Sequence, residues 1–312
     1  MMIMKKNDEM KPIWQEVIVV TSQVAADLVS DKLIELGSQG TVFDEDTRSA
    51  DLCKITAYYP MSMDIKVIIQ EVIRYLEVLK AHDIPIGNPE VLSKILEDTD
   101  WAGQWKRFFK PIRIGKHLVI KPSWEKFEAR PEDLIIEIDP GMAFGTGLHA
   151  STRLMLTLME QYLRPGNMVL DVGIGSGILT IAAARLGANH VLGVDVDAEA
   201  IEVACENVVK NSRIASQVSR LEDRIELEVG SLDTLTTSER FDCILMNIRP
   251  NIILPLMPYA ETYLQTGGAV IISGILEEEG PDLVAQLHER NFLVQDHRTE
   301  EGWIAYVLSY LN

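Results

Sequence analysis

The chain has 312 residues, with 29 Lys and Arg set against 47 Asp and Glu, for a formal net charge of −18. Hydrophobic residues at 47% and charged residues at 24% are globular proportions; they exclude a disordered chain and, at this length, favour two domains. The acidic excess argues against a footprint that grips phosphates, so direct nucleic-acid binding is not expected; a basic protein or a cationic small molecule suits the field better.

The opening MMIMKKNDEM has no apolar stretch long enough for a signal peptide. No run of ~18 apolar residues offers a membrane helix. Cys53, Cys205 and Cys243 lie far apart without a CxxC. They read as reduced thiols of a cytoplasmic protein, and no metal site is expected.

In chain order, residues 1–90 read as a small α+β domain. Trp14 to Thr21 is rich in β-formers, Gln23 to Leu36 is an amphipathic helix stopped by Gly37, and Gly40 to Phe43 and Leu52 to Tyr59 are strands. Ile65 to Lys80 is a second amphipathic helix. The order β-α-β-β-α suggests a ferredoxin-like half-sandwich. It carries no catalytic constellation, so recognition or oligomerisation is its expected role. His82 to Pro89, with two prolines and a glycine, marks a boundary.

Residues 91–132 read as a linker. Trp101, Trp105 and Phe108 follow an Asp/Thr cap at helical spacing, as an interdomain staple or as an aromatic surface facing a substrate. Ile112 to Ile114 and His117 to Lys121 form a short hairpin around Gly115. From 133 to 312 strands and helices alternate, predicting a doubly wound α/β sheet. Strands are expected at 133–138, 168–172, 190–194, 224–229, 241–246 and 269–273. Helices are expected at 151–163, 178–186, 198–211, 252–264 and 281–290. Leu293 to Thr299 and Ile304 to Leu311 have no helix between them and should pair antiparallel.

Four segments carry the chemistry. Asp171-Val-Gly173-Ile-Gly175-Ser-Gly177 lies where the first central strand meets its helix, and its glycines allow a tight turn and close approach of a ligand. The spacing is G-x-G-x-G rather than G-x-G-x-x-G, which turns the reading from a nicotinamide dinucleotide towards a nucleoside without a pyrophosphate. Asp195, at the end of the next strand, is placed to accept hydrogen bonds from ribose hydroxyls. Asp197 is the better cap for the helix that follows. Asp171 either holds the loop or meets an ammonium group.

The segment Asp139 to Thr152 (DPGMAFGTGLHAST) precedes a helix and suits a ligand lid. Phe144 lies against an adenine or thioether, or packs in the core. Thr152 caps the helix or touches the ligand. His149 is read as a structural hydrogen-bond partner rather than a base. Finally, Asn247 in Met-Asn-Ile-Arg-Pro ends the fourth strand, where chemistry in open α/β sheets is found. Its neutral carboxamide can accept a hydrogen bond from an amine and aim its lone pair; otherwise it caps the next helix.

Together FGTGxH, DVGIGSGIL, GVDVD and the late Asn-Ile pair resemble the ribosomal large-subunit protein eleven methyltransferase family, over nearly the whole chain. The resemblance implies a class I (Rossmann-like) protein methyltransferase that uses S-adenosyl-L-methionine. Its implied partner is that basic ribosomal protein, methylated on lysine side chains, the N-terminal amine, or both. Carried over by position, cofactor contacts fall on Thr152, Gly173, Asp195 and Asn247, with Phe144 and Thr146 lining the site. The glycine turn adds Gly175 and Asp171. Asn247 is the expected catalytic residue, orienting the amine while the loop of Phe144 to Gly147 closes and water takes the proton. A monomer is favoured. The chain departs from the family's pattern at Leu148, Ala150 and Ser151, and at Arg249 and Pro250, beside the place where the nucleophile arrives.

Overall fold

The computed structural model describes residues 14–38, 41–45, 52–60, 63–82, 84–96, 109–139, 149–214 and 221–311. The Trp101/Trp105 segment and the Phe144–Thr146 loop lie outside them. The chain divides into two compact units that meet in sequence between Phe109 and Lys110.

In the first unit, β1 (Trp14–Ser22), β2 (Thr41–Glu45), β3 (Leu52–Pro60) and β4 (Glu90–Leu96) form a sheet in the order β2-β3-β1-β4. Each of its pairings is antiparallel. Helices α1 (Gln23–Glu35) and α2 (Ile65–Ala81) cover one face. Ser22 and Asp64 cap them, each accepting a backbone N–H of the first turn. Ile68, Val72, Leu76 and Leu79 of α2 are buried at helical spacing against Val17, Val19, Ile55 and Tyr59. The strand β4 extends past the expected boundary at residue 90. Its Leu92 and Ile95 are exposed, so it lacks the buried alternation that marks a strand in sequence. Pairing with β1 makes it one.

In the second unit, β5 (Ile112–Ile114), β6 (Leu118–Lys121) and β7 (Leu134–Glu137) form a separate small sheet, with β6–β7 parallel. The hairpin read as part of a linker therefore belongs to this unit. The Glu160 carboxylate ties it down, accepting the N–H groups of Lys116 and His117, each at 2.6 Å. Asn211, fully buried, pairs its carboxamide with both backbone groups of Glu137 at 2.8 Å, satisfying a polar group that would otherwise be costly to bury.

The main sheet runs β10-β9-β8-β11-β12-β14-β13. It uses β8 (Met168–Val172), β9 (His190–Asp195), β10 (Ile225–Val229), β11 (Phe241–Asn247), β12 (Leu264–Leu276), β13 (Phe292–Glu300) and β14 (Trp303–Tyr310). Strands β8 to β12 pair parallel, whereas β14 runs antiparallel to both β12 and β13. Helices α3 (Ala150–Tyr162), α4 (Ile178–Arg185), α5 (Ala198–Ser212), α6 (Pro250–Tyr263) and α7 (Gly280–His288) complete the unit. Separate buried clusters lie on the two faces of the sheet, one around Met155, Ile181 and Ile271 and the other around Phe241, Met257 and Ile272. Burial on both faces explains why β8 and β11 read as nearly unbroken apolar runs. Strand order reverses between β8 and β11, and the crevice at such a reversal is where open α/β sheets bind ligands.

Candidate active site

The site is assembled at the carboxyl ends of β8, β9 and β11. After β8 the chain turns through Gly173 and Gly175, with φ of +77° and +52°, angles that a side chain would strain. The turn is tied to the next strand: the Gly173 N–H donates to the Val194 carbonyl at 2.8 Å. The Gly175 N–H donates to Asp195 Oδ2 at 2.9 Å, and the Asp197 N–H to Asp195 Oδ1 at 3.0 Å. Each carboxylate oxygen of Asp195 thus accepts one backbone donor and keeps a lone pair for a ligand. Asp197 caps α5 by accepting the Glu199 N–H at 2.9 Å, as its sequence position predicts.

Across the crevice, Asn247 Nδ2 donates to Thr152 Oγ1 at 3.3 Å, joining the end of β11 to the first turn of α3. With the amide group committed in this direction, Oδ1 is buried and has no hydrogen-bond partner among the described residues. An orphaned buried acceptor costs roughly 1–3 kcal/mol, so this atom awaits a donor. Asn247 does not cap α6. Arg249 occupies the cap position and Pro250 the first helical position, where a missing N–H costs nothing. Thr152, Gly173, Gly175, Asp195 and Asn247 all line one cleft of about 270 Å³, floored by Ile248 and Ile252 among others.

A nucleoside fits this donor and acceptor set: free carboxylate lone pairs at Asp195, an approachable backbone at Gly173 and an unmet acceptor at Asn247. A family model for ribosomal protein L11 methyltransferases matches residues 13–310. The chain belongs to this family. The L11 methyltransferase of Streptococcus uberis is 34% identical over 310 residues, covering 94% of this chain and 95% of its own. That of Streptococcus thermophilus is 36% identical over 311 residues with the same coverage, 94% and 95%. The crystal structure of ribosomal protein L11 methylase from Lactobacillus delbrueckii subsp. bulgaricus superposes with a TM-score of 0.57 at 33% identity, over 65% of this chain and 100% of that one. The fold is that of a class I methyltransferase with a mixed sheet, and S-adenosyl-L-methionine is the cofactor of this enzyme family.

Two residues singled out in the sequence lie elsewhere than a ligand contact requires. Asp171, read as a possible cofactor contact, is fully buried beneath the glycine turn and does not line the cleft. Its Oδ2 accepts the Thr180 hydroxyl at 2.6 Å, pinning the first turn of α4, while Oδ1 has no partner among the described residues. Burial pushes its pKa up to about 7, against the opposing hydrogen bonds from Thr180. This is the loop-holding role rather than the ammonium-binding one. His149 is the cap of α3, accepting the Ser151 N–H through Nδ1. Its ring stands edge-on to Trp303, with centroids 4.6 Å apart at 71°. Burial lowers its pKa to about 4, and the Arg153 charge acts in the same direction. The imidazole is therefore neutral and structural, as the sequence reading held.

Sequence reasoning missed Ile248, Ile252, Gly230 and Ser231 in the cleft wall. The position of Gly230-Ser231 directly after β10 was the available signal, since ligands collect at strand ends.

Proposed function

We propose that this chain transfers methyl groups from S-adenosyl-L-methionine to amino groups of ribosomal protein L11, on lysine side chains, the N-terminal amine, or both. The observation that carries the reading is the buried Oδ1 of Asn247, without a partner among the described residues, on a side chain that Thr152 holds in the lining of the cleft shared with Gly173 and Asp195. Thr152, Gly173, Gly175, Asp195 and Asn247 hold the cofactor and meet the amine, with Phe144 and Thr146 added by family resemblance. When bound, the cofactor supplies an electrophilic methyl and its own leaving group, so the work left to the protein is positioning.

The amine must arrive neutral. An α-amine with a pKa of ~8 is partly neutral at pH 7, whereas a lysine at ~10.4 must shed its proton on entry. Desolvation in an apolar cleft favours that loss. Asn247 Oδ1 accepts one amine hydrogen and so directs the lone pair; a carboxamide does this without holding the amine in its charged form, as a carboxylate would. Water takes the proton, because His149 is buried and committed to its helix.

The division of labour follows. The N-terminal unit, a module of the ferredoxin-like kind that includes β4, recognises the substrate; the unit from Lys110 onward, closing on an antiparallel strand pair, carries out methyl transfer. The reaction belongs in the cytoplasm, where ribosomal proteins are made, and the net charge of −18 favours encounter with a basic protein rather than with RNA. Mass spectrometry of purified L11 after incubation with the enzyme and S-adenosyl-L-methionine tests the reading. Mass increments of whole methyl groups are expected, and an unmodified L11 overturns it.

A further inference from the structure

The segment that follows Asn247 is held between two glycines from different parts of the sheet. On one side is Gly173 of the cofactor turn, where a Cβ would stand 2.6 Å from Ile248 Cγ2. On the other is Gly274 of β12, with φ of +82°, where a Cβ would stand 2.6, 2.9 and 3.0 Å from the carbonyl oxygen, carbonyl carbon and nitrogen of Ile248. The second contact is backbone on backbone, so no side-chain rotation can relieve it.

The cause of the close approach lies in the pairing of β12. Towards β11 a slip lies at the start of the pairing, between Phe241 and Cys243, and the register is then regular from Cys243, opposite Ala269, to Asn247, opposite Ser273. Towards β14 the register slips between Ile272, opposite Tyr306, and Ile275, opposite Ile304. One extra residue of β12 is accommodated there, the mark of a β-bulge, which bends a strand and re-aims what it touches. The buried Ser273 hydroxyl closes the irregularity, donating to the Ile304 carbonyl at 3.0 Å. The bulge presses the Gly274 backbone onto Ile248, and Ile248 in turn meets Gly173.

We infer that the Ser273–Gly274 bulge is a positioning element for methyl transfer: by pressing on Ile248 it fixes the direction in which Asn247 presents its carboxamide to the amine. Gly274 is not itself in the cleft lining and meets no reacting group; it bears on Ile248, and through Ile248 on the adjacent Asn247. The inference rests on the reading of Asn247 as the group that orients the amine. It adds that the orientation is set from β12, a strand with no residue in the cleft, and that Ile248 is a wall shared by the cofactor turn and the nucleophile's partner.

A double-mutant cycle tests it, using full-length Gly274→Ala, Asn247→Ala and the double variant with L11 as substrate. Misplacing a reacting group by about 1 Å costs on the order of 100-fold. Gly274→Ala is accordingly expected to lower kcat at least tenfold, with KM for L11 and the calorimetric cofactor Kd changed less than threefold. In the Asn247→Ala background the same change should cost less than twofold, because the group it aims is already gone. An equal loss in both backgrounds overturns the positioning role while leaving the reading of Asn247 intact. Full activity in Asn247→Ala overturns that reading, and the inference with it. Should Gly274→Ala not fold, Ser273→Ala enters the same cycle. It leaves the backbone angles alone, and the same background dependence is expected at a smaller amplitude; its absence overturns the inference.

Discussion

The buried Asp171 makes a quantitative prediction about pH. An ordinary aspartate titrates near 3.8, whereas burial raises this one to about 7 in the folded protein. Between those values the folded state holds a proton that the unfolded state has released, so stability falls as pH rises. The penalty is absent below the unfolded pKa, grows through the interval and is complete above pH ~7. At 1.36 kcal/mol per pH unit, the ionised carboxylate costs the folded protein roughly 4 kcal/mol at pH 8, of which roughly 2–3 kcal/mol is recovered on acidification to pH 5. Asp171→Asn keeps an acceptor for the Thr180 hydroxyl and removes the charge. Urea unfolding of the cofactor-free protein from pH 5 to pH 8 isolates the effect, because every other titrating group is common to both proteins. The variant should be the more stable at pH 8, by an amount that shrinks towards pH 5. Parallel stability curves, or a variant that is less stable at pH 8, would refute the argument that the orphaned Oδ1 carries a buried charge at alkaline pH.

Four further outcomes follow from the site. Asn247→Ala should lower kcat at least tenfold and weaken the cofactor as well, since it leaves the Thr152 hydroxyl without its donor; methyl transfer from radiolabelled cofactor measures both. Asp195→Ala removes the acceptor for the ribose and the anchor of two backbone N–H groups. At about 1.5–3 kcal/mol for hydrogen bonds to a charged group, cofactor Kd by calorimetry should rise 10- to 100-fold or more. His149→Asn keeps a capping side chain, so kcat should stay within a few-fold and the pH–rate profile should be unaltered between pH 6 and 9; loss of an inflection there would make His149 a base after all. Gly173→Ala should abolish cofactor binding, and Ile248→Ala, which removes the methyl group in the way, should restore part of it in a calorimetric titration.

The parts of this molecule that could be read from sequence are those whose cause is local. The glycine turn, Asp195 and the Asp197 cap lie within 25 residues of one another, and each owes its place to the strand or helix it terminates. The apolar runs of β8 and β11 announce burial on both faces. What escaped depends on pairing across the chain. The strand β4 is a strand because β1 is beside it, and its exposed Leu92 and Ile95 give no alternation to find. The hairpin of β5 and β6 looks like part of a linker until Glu160 of α3 is seen gripping its turn and β7 pairing beside it. Asp171 could be seen as a carboxylate beside the glycines, but whether it faced a ligand or the helix beneath depended on Thr180 lying on the buried side of α4. The contact of Gly274 with Ile248 is set by a register slip 26 residues further on, which no periodicity records.

The hydrogen bond between Thr152 and Asn247 spans 95 residues of chain and depends on α3, β8 and β11 all being in place. No shorter fragment contains the two sides of the cleft, so the cofactor has little to recognise in a partly folded chain. The cofactor is then also a folding ligand. At a free concentration 100 times its Kd it stabilises the native state by about 2.7 kcal/mol through mass action alone. The same cleft that positions the methyl donor thus ties the stability of the folded chain to the free concentration of that donor.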